Sequence, residues 1–380
     1  MNRRDLLVSM TGCAAYPACA GFFKPSNMAE KAIFKGDAPK KLWKWSRECY
    51  NYEKKGDKTE CLTCPNHCEL SPGDRSACRV KVNIDGTAYT LAYGNPCSMN
   101  VDPVEKKPLF HFHPGTVAFS IATAGCNLRC LNCQNWEISQ KKPEEVVSRD
   151  LFPEDVVKTA LQYNCKAIAY TYAEPTAFYE YMFDTAKIAH QHGIKNVCVT
   201  NGYISRAALE PLCPYIDGAS VNLKAFSEEI YNDLNGCHLK PVLETLKTMK
   251  ELNVWFEVIT LLVPTYTDNM ETVKGITGWI LNNLGPDTPL HFSRFHPEHK
   301  LTQLPPTSID ILLKAQDYAR SAGLRYVYAG NAPGLGRENT FCPKCKKVVV
   351  EREGFSIARM DVDAKGQCRF CGEKIAGRFA

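Results

Sequence analysis

Val117-Ala118-Phe119-Ser120-Ile121-Ala122, followed closely by Gly125-Cys126-Asn127-Leu128-Arg129-Cys130-Leu131-Asn132-Cys133-Gln134-Asn135, is the stretch on which the reading of this chain turns. The first six residues form a β-branched and apolar run of strand length. The cysteine loop therefore hangs from the C-terminal end of a strand, where proteins built of alternating strands and helices place their reacting groups. Three thiolates at C-x3-C-x2-C can hold three irons of a [4Fe–4S] cluster and leave the fourth open, whereas electron-carrying clusters take four protein ligands. On spacing alone, a zinc knuckle or three unligated core thiols are the alternatives.

Working outward, further apolar runs follow at Ala167 to Tyr172, Lys195 to Thr200, Gly218 to Leu223, Trp255 to Val263, Leu290 to Phe295 and Arg325 to Ala329. Between them lie amphipathic segments at Glu154 to Tyr163, Thr176 to His192, Pro241 to Leu252, Asn269 to Asn283 and Ser308 to Ala322. The alternation predicts parallel βαβ units. Right-handed crossovers of this length curl into a partial or complete (β/α) barrel, with an open doubly wound sheet as the other arrangement. No Gly-x-Gly-x-x-Gly fingerprint opens a helix, which weighs against a dinucleotide fold.

The strand ends are polar. They carry Glu174 in Thr171-Tyr172-Ala173-Glu174-Pro175-Thr176, then Thr200-Asn201-Gly202, Asn222-Leu223-Lys224, Ser293-Arg294-Phe295-His296-Pro297 and Gly330-Asn331. A zwitterionic nucleoside needs such a mixture: an acid for an ammonium, a cation for a carboxylate, and amides or hydroxyls for ribose. Taken singly, Glu174 reads equally as an acid at a helix N-terminus and Lys224 as a solvated charge.

The cysteine loop and these strand ends together resemble the radical S-adenosylmethionine (SAM) enzymes. More specifically, the chain resembles the radical SAM member of the AmmeMemoRadiSam system, related to the pyruvate formate-lyase activating enzymes. It is carried by Cys61 to Cys78, Glu105 to Gly115, Gly125 to Gln140, Tyr172 to Thr176, Asn222 to Phe226, Phe295-His296-Pro297 and the cysteine-rich tail. The resemblance implies a barrel of the radical SAM type and a [4Fe–4S] cluster on Cys126, Cys130 and Cys133. It further implies that Glu174 meets the SAM amino group, that Thr200 and Asn201 line the ribose side, that Lys224 meets the carboxylate and that His296 lies near the nucleoside. One-electron cleavage of SAM to a 5′-deoxyadenosyl radical, for hydrogen abstraction, is the implied chemistry. A low-potential donor such as flavodoxin or ferredoxin is the implied partner, with Memo-like and AMMECR1-like proteins as family partners. In such enzymes an aromatic residue usually stands where this loop has Asn132, and the activating enzymes carry aspartates at the positions of Val199 and Asn222. Tyr172 and Ala173 replace the glycines that usually precede the acid.

Two cysteine groups flank the predicted barrel. Cys342-Pro343-Lys344-Cys345 and Cys368-Arg369-Phe370-Cys371 form two C-x2-C knuckles that can converge on one tetrahedral ion, structural zinc or a rubredoxin-like iron. Cys61, Cys64, Cys68 and Cys78 lie in a segment too poor in apolar residues to fold unaided, and can enclose a structural zinc or a second cluster.

The 19 cysteines are odd in number and mostly clustered in short pairs, which suits metal sites better than a disulfide framework. A net charge of +5 from 46 basic and 41 acidic residues calls for no nucleic acid. Arg3-Arg4 before an apolar, small-residue stretch resembles a twin-arginine export signal, pointing to periplasm or membrane, with the cytoplasm as the alternative. The expected organisation is a signal segment (1–23), a linker and cysteine-rich region (24–110), with Lys35 to Lys58 as polar linker or docking arm, a radical SAM barrel (111–335) and a four-cysteine tail (336–380). Three functions are consistent with this sequence: a radical SAM enzyme acting on an unidentified substrate, an activase for a glycyl-radical enzyme, and an exported non-catalytic iron–sulfur carrier.

Overall fold

The computed structural model describes residues 33–332 and 334–379; the twin-arginine stretch lies outside them. The centre is one eight-stranded sheet: β1 (Ser98–Pro103), β2 (Val117–Ala122), β3 (Ala167–Tyr170), β4 (Lys195–Thr200), β5 (Gly218–Asn222), β6 (Trp255–Leu262), β7 (Leu290–Arg294) and β8 (Val327–Gly330). The strands lie side by side in chain order. β1 runs antiparallel to β2, and every later pair is parallel. A doubly wound sheet reverses its order at a switch point; this one never does. The expectation of a complete barrel is corrected, because the edge strands β1 and β8 do not pair with each other and the sheet stays open.

The strands are apolar because both faces are covered; all four residues of β3 are buried. Crossover helices α2 (Pro153–Gln162), α3 (Tyr179–Gln191), α4 (Arg206–Leu212), α5 (Glu228–Asn235), α6 (Leu239–Glu251), α7 (Met270–Asn283) and α8 (Ile309–Ser321) follow a short α1 (Trp136–Ser139). Each long helix presents one stripe to the sheet. In α6, Val242, Thr245, Leu246 and Met249 recur at three- and four-residue steps and are buried. Asn269 and Ser308 cap α7 and α8 by accepting from the amides of Thr272 (2.9 Å) and Ile311 (3.3 Å). Among the described residues, no helix is long and apolar enough to cross a membrane.

Two small antiparallel sheets precede β1, one of Arg47–Glu48, Lys81–Ile84 and Thr87–Thr90, the other of Tyr52–Lys55, Lys58–Cys61 and Glu69–Leu70. The second half of the expected polar linker thus carries short strands. Its alternation was hidden because these strands are short and mostly exposed. A buried Lys81–Glu180 ion pair joins this region to α3, as does the Tyr93 hydroxyl, which donates to Asp184 at 2.7 Å. At the other end, β9 (Thr340–Phe341), β10 (Val348–Glu353) and β11 (Ser356–Met360) form an antiparallel ribbon. Val349, Val350, Val362 and Ile375 of the tail share a core with Phe110, Tyr326 and Tyr328, so the tail is seated on the main sheet.

Candidate active site

The loop after β2 is fixed from several sides. The Arg129 and Leu131 amides donate to the Asn235 and Leu234 carbonyls, both at 2.9 Å, and the Asn127 side-chain amide donates to the Tyr203 carbonyl at 2.7 Å. Polar hydrogens are turned onto the sulfurs. The Leu128 amide reaches Cys126 Sγ at 3.4 Å, Asn235 Nδ2 reaches Cys130 Sγ at 3.3 Å, and Cys133 Sγ lies 3.0 Å from Ser139 Oγ. Such bonds stabilise thiolates and tune any cluster they hold.

Cys126, Cys130, Cys133, Glu174, Thr200, Asn201 and Lys224 all wall one cavity of about 430 Å³. That volume falls within the roughly 300–1,000 Å³ of small-molecule sites. Glu174 is buried; its Oε1 accepts from Thr176 Oγ1 (2.8 Å) and Thr200 Oγ1 (2.7 Å), and its Oε2 from the Asn201 amide (2.8 Å). Burial raises its pKa, and these bonds oppose the rise. Oε2 keeps acceptor capacity for a further donor. For Lys224, burial works against the charge, but the sulfurs of Cys130, Cys133 and Cys126 more than compensate and raise its pKa. A carboxyl group and an ammonium thus line the same cavity as the three sulfurs. His296 is separate: it does not line the cavity, and its Nε2 lies 3.2 Å from the Asn331 carbonyl oxygen.

Tyr172 explains how this chain dispenses with a glycine before its acid. It adopts the left-handed φ of 60° that a glycine takes readily. Its hydroxyl donates to Asp102, its carbonyl accepts from Asn135 Nδ2 at 2.7 Å, and the Lys107 ammonium lies 4.4 Å from its ring centre. Burial opposes charge on Asp102, yet hydrogen bonds from Lys107, Tyr172 and Lys106 hold it below the ordinary carboxylate range. Asn132, at the position of the usual aromatic residue, lines the cavity with a buried Oδ1 that has no hydrogen-bond partner among the described residues.

The cavity also has a far end that sequence reasoning missed, formed by Glu105, Phe110, His291, Tyr328, Glu338 and Phe355. Glu338 and Phe355 come from the tail. The period-two alternation was a usable signal, because Ile259 and Leu261, His291 and Ser293, and Tyr328 and Gly330 line the cavity at i and i+2 on adjacent strands. Behind this wall, His111 Nδ1 faces the Ala376 carbonyl oxygen at 2.6 Å and Nε2 faces the Tyr328 hydroxyl at 2.5 Å. Glu257 accepts from the His111 amide and from His291 Nε2, both at 2.7 Å.

This network sets a pH dependence. Burial lowers the pKa of His111 from 6.5 to about 4, so between those values the unfolded chain binds a proton that the folded chain refuses. Stability from this site is complete above pH 6.5 and falls as the pH drops toward 4, by up to about 3 kcal/mol. Glu257 continues the trend below pH 4.5: burial raises its pKa, but bonds from His291 and His111 bring the net value down. Denaturation midpoints measured from pH 7 to 4.5 are expected to decline, and His111→Gln to flatten the slope; an unchanged slope would remove His111 as its source.

In the tail, Cys342 Sγ and Cys371 Sγ stand 3.6 Å apart, and Cys345 Sγ and Cys368 Sγ 3.8 Å. A tetrahedral ion with 2.3 Å bonds sets its sulfurs about 3.8 Å apart, so the quartet fits one metal ion. The Lys347 amide lowers the Cys345 thiol to about 7, close to the thiolate a metal requires.

Residues 120–275 match the Radical SAM superfamily. The uncharacterized protein MJ0808 of Methanocaldococcus jannaschii is 47% identical over 332 residues, covering 87% of this chain and 98% of that protein. Pyruvate formate-lyase 1-activating enzyme of Escherichia coli K12 is 26% identical over 189 residues, 48% of this chain and 75% of the enzyme. The crystal structure of Streptococcus suis SuiB bound to precursor peptide SuiA shares 13% identity at a TM-score of 0.46, over 61% of this chain and 52% of that one. The family match spans the cysteine loop and the strand ends bearing Glu174 and Lys224, and this chain accordingly belongs to the radical SAM superfamily, an enzyme class, with distant similarity to the pyruvate formate-lyase activating enzymes.

Proposed function

We propose that this protein binds a [4Fe–4S] cluster on Cys126, Cys130 and Cys133, binds SAM in the adjoining cavity, and abstracts hydrogen from a substrate held at the cavity's far end. The single observation that carries this reading is the convergence of three sulfurs, a buried acid and a lysine on one wall. When bound, cluster and SAM supply one-electron reductive cleavage to a 5′-deoxyadenosyl radical, with the electron coming from a low-potential donor protein. The chain's residues do the rest. Glu174 accepts from the SAM ammonium, Thr200 and Asn201 hold that carboxylate in place, Lys224 meets the SAM carboxylate, and Asn132 Oδ1 offers an acceptor to the nucleoside. Ile259, Leu261 and Phe292 keep that space apolar and exclude water. Glu105 and Glu338 suit a substrate that presents hydrogen-bond donors, since burial disfavours the charge of both and Glu105 Oε2 is buried without a hydrogen-bond partner among the described residues. In the tail, the four sulfurs are read as the ligands of a structural zinc, with a rubredoxin-like iron, which takes the same tetrahedral thiolate set, as the alternative.

Replacing Glu174 by glutamine or Lys224 by methionine is expected to weaken SAM binding by about 1.5–3 kcal/mol, the worth of a hydrogen bond to a charged group. That is a ten- to hundredfold rise in Kd, read by equilibrium dialysis. Unchanged affinity in both variants would remove the two residues from the SAM site. The reading as a whole is tested by incubating the anaerobically reconstituted protein with SAM and dithionite. Formation of 5′-deoxyadenosine supports it, and none from a cluster-replete protein overturns it.

A second reading, activation of a glycyl-radical enzyme, is favoured by the alignment with the Escherichia coli activating enzyme. The finer assignment to the AmmeMemoRadiSam system rests on Cys61 to Cys78, Glu105 to Gly115 and the tail. A stable complex with a Memo-like or AMMECR1-like protein in size-exclusion chromatography is its test.

A further inference from the structure

Cys61, Cys64, Cys68 and Cys78 have no part in the site described so far, yet all four are buried. Cys61 and Cys68 share a small core with Leu70 and Ala77, with Ile33 against it, while Cys78 sits at the edge of the main core. The segment folds back on itself, the Cys61 amide donating to the Cys68 carbonyl at 2.9 Å, and Cys64 lies within electrostatic reach of Cys61, Cys68 and Cys78. Backbone amides are turned onto them as in the catalytic loop: that of Thr63 donates to Cys61 and that of Asn66 to Cys64.

Spacing separates the N-terminal quartet from the tail. Among the described residues, the tail quartet is the only group of three or more potential ligands whose donor atoms all lie within 4.8 Å of one another. Cys126, Cys130 and Cys133 are not so close, and they are the ligands that the superfamily places on separate irons of one cluster. The N-terminal quartet behaves like that loop and unlike the tail. A single zinc ion would draw its sulfurs together, whereas a cluster spreads its thiolates over several irons.

The surroundings are cationic. Arg79 lies within electrostatic reach of Cys78, Cys126 and Cys133 as well as Glu145, Arg129 within reach of Cys68, and Lys81, ion-paired with Glu180, within reach of Cys61. Arg79 Nη1 is buried with no hydrogen-bond acceptor among the described residues, as a donor aimed at a cluster sulfide would be. We propose that Cys61, Cys64, Cys68 and Cys78 hold a second, polynuclear iron–sulfur cluster, seated directly against the catalytic loop. The two loops touch: a Cβ added at Gly125 would come within 2.6 Å of the Cys78 carbonyl oxygen. Positive side chains around an anionic cluster stabilise its reduced state.

The intact chain carrying Cys126→Ala, Cys130→Ala and Cys133→Ala tests this. After anaerobic reconstitution with iron and sulfide and desalting, it is expected to retain about two to four irons with matching acid-labile sulfide. Adding Cys61→Ser and Cys68→Ser should remove both. An iron held singly by the tail brings no labile sulfide and does not confuse the count. Absence of labile sulfide from the three-alanine variant would overturn the proposal, as would a second equivalent of zinc in place of iron. Persistence of sulfide after Cys61 and Cys68 are replaced would overturn it too. If the five-fold variant fails to fold, the sulfide count on the three-alanine chain decides alone. Wild-type 5′-deoxyadenosine formation reports separately on the catalytic loop.

Discussion

Cys130→Ala is expected to lower 5′-deoxyadenosine formation at least a hundredfold while leaving the fold intact. Cys130 is the most buried of the three loop cysteines, but the loop around it is held by backbone groups that the substitution spares. The Arg129 and Leu131 amides keep their bonds to Asn235 and Leu234, and the Leu131 carbonyl still accepts from the Lys300 amide at 2.9 Å. What is lost is one thiolate of three, with the bond from Asn235 Nδ2 to it. Circular dichroism and thermal unfolding of the apo proteins should therefore superimpose, while product formation separates them. Equal product from wild type and Cys130→Ala would mean that this loop does not hold the reactive cluster.

Gly125→Ala is expected to act through the fold. Gly125 sits at φ +97°, and a Cβ there would meet Val80 Cγ1 at 2.5 Å and the Cys78 carbonyl oxygen at 2.6 Å. The second neighbour is backbone, so the strain cannot be relieved by turning a side chain. A left-handed alanine costs about 1–2 kcal/mol by itself, and displacing packed backbone raises the total to about 3 kcal/mol or more. Gly193→Ala is the control, since it has φ +68° with nothing within 4 Å of the added carbon. Denaturant titration should show Gly125→Ala to be clearly the more costly of the two. Equal losses would mean that the contact between the N-terminal cysteine segment and the catalytic loop is soft.

The main sheet could be read from the sequence because parallel strands buried on both faces leave unbroken apolar runs, and β2 and β4 lie where those runs predict them. β1 was not legible: Ser98–Pro103 is half exposed, ends in proline and pairs antiparallel at an edge, so it carries no such run. Glu174 and Lys224 could be proposed from their place after strands. His291 and Tyr328 could not, since a polar residue inside a strand reads as packing until the neighbouring strands are known, and Glu105, in a single 3-10 turn after β1, carries no periodic signal. Glu338 and Phe355 were beyond reach for another reason. They belong to a segment read as an independent metal-bound module, and only the shared core with Phe110, Tyr326 and Tyr328 turns that module toward the cavity.

The central claim is that SAM binds at the three-cysteine cluster beside Glu174 and Lys224. Electron paramagnetic resonance of the dithionite-reduced protein, recorded with and without SAM, tests it most directly. An iron left open by three cysteine ligands changes its environment when SAM binds, so the account predicts a shifted signal in wild type and loss of that SAM-sensitive signal in Cys130→Ala. A reduced cluster whose spectrum is the same with saturating SAM as without it would contradict the account.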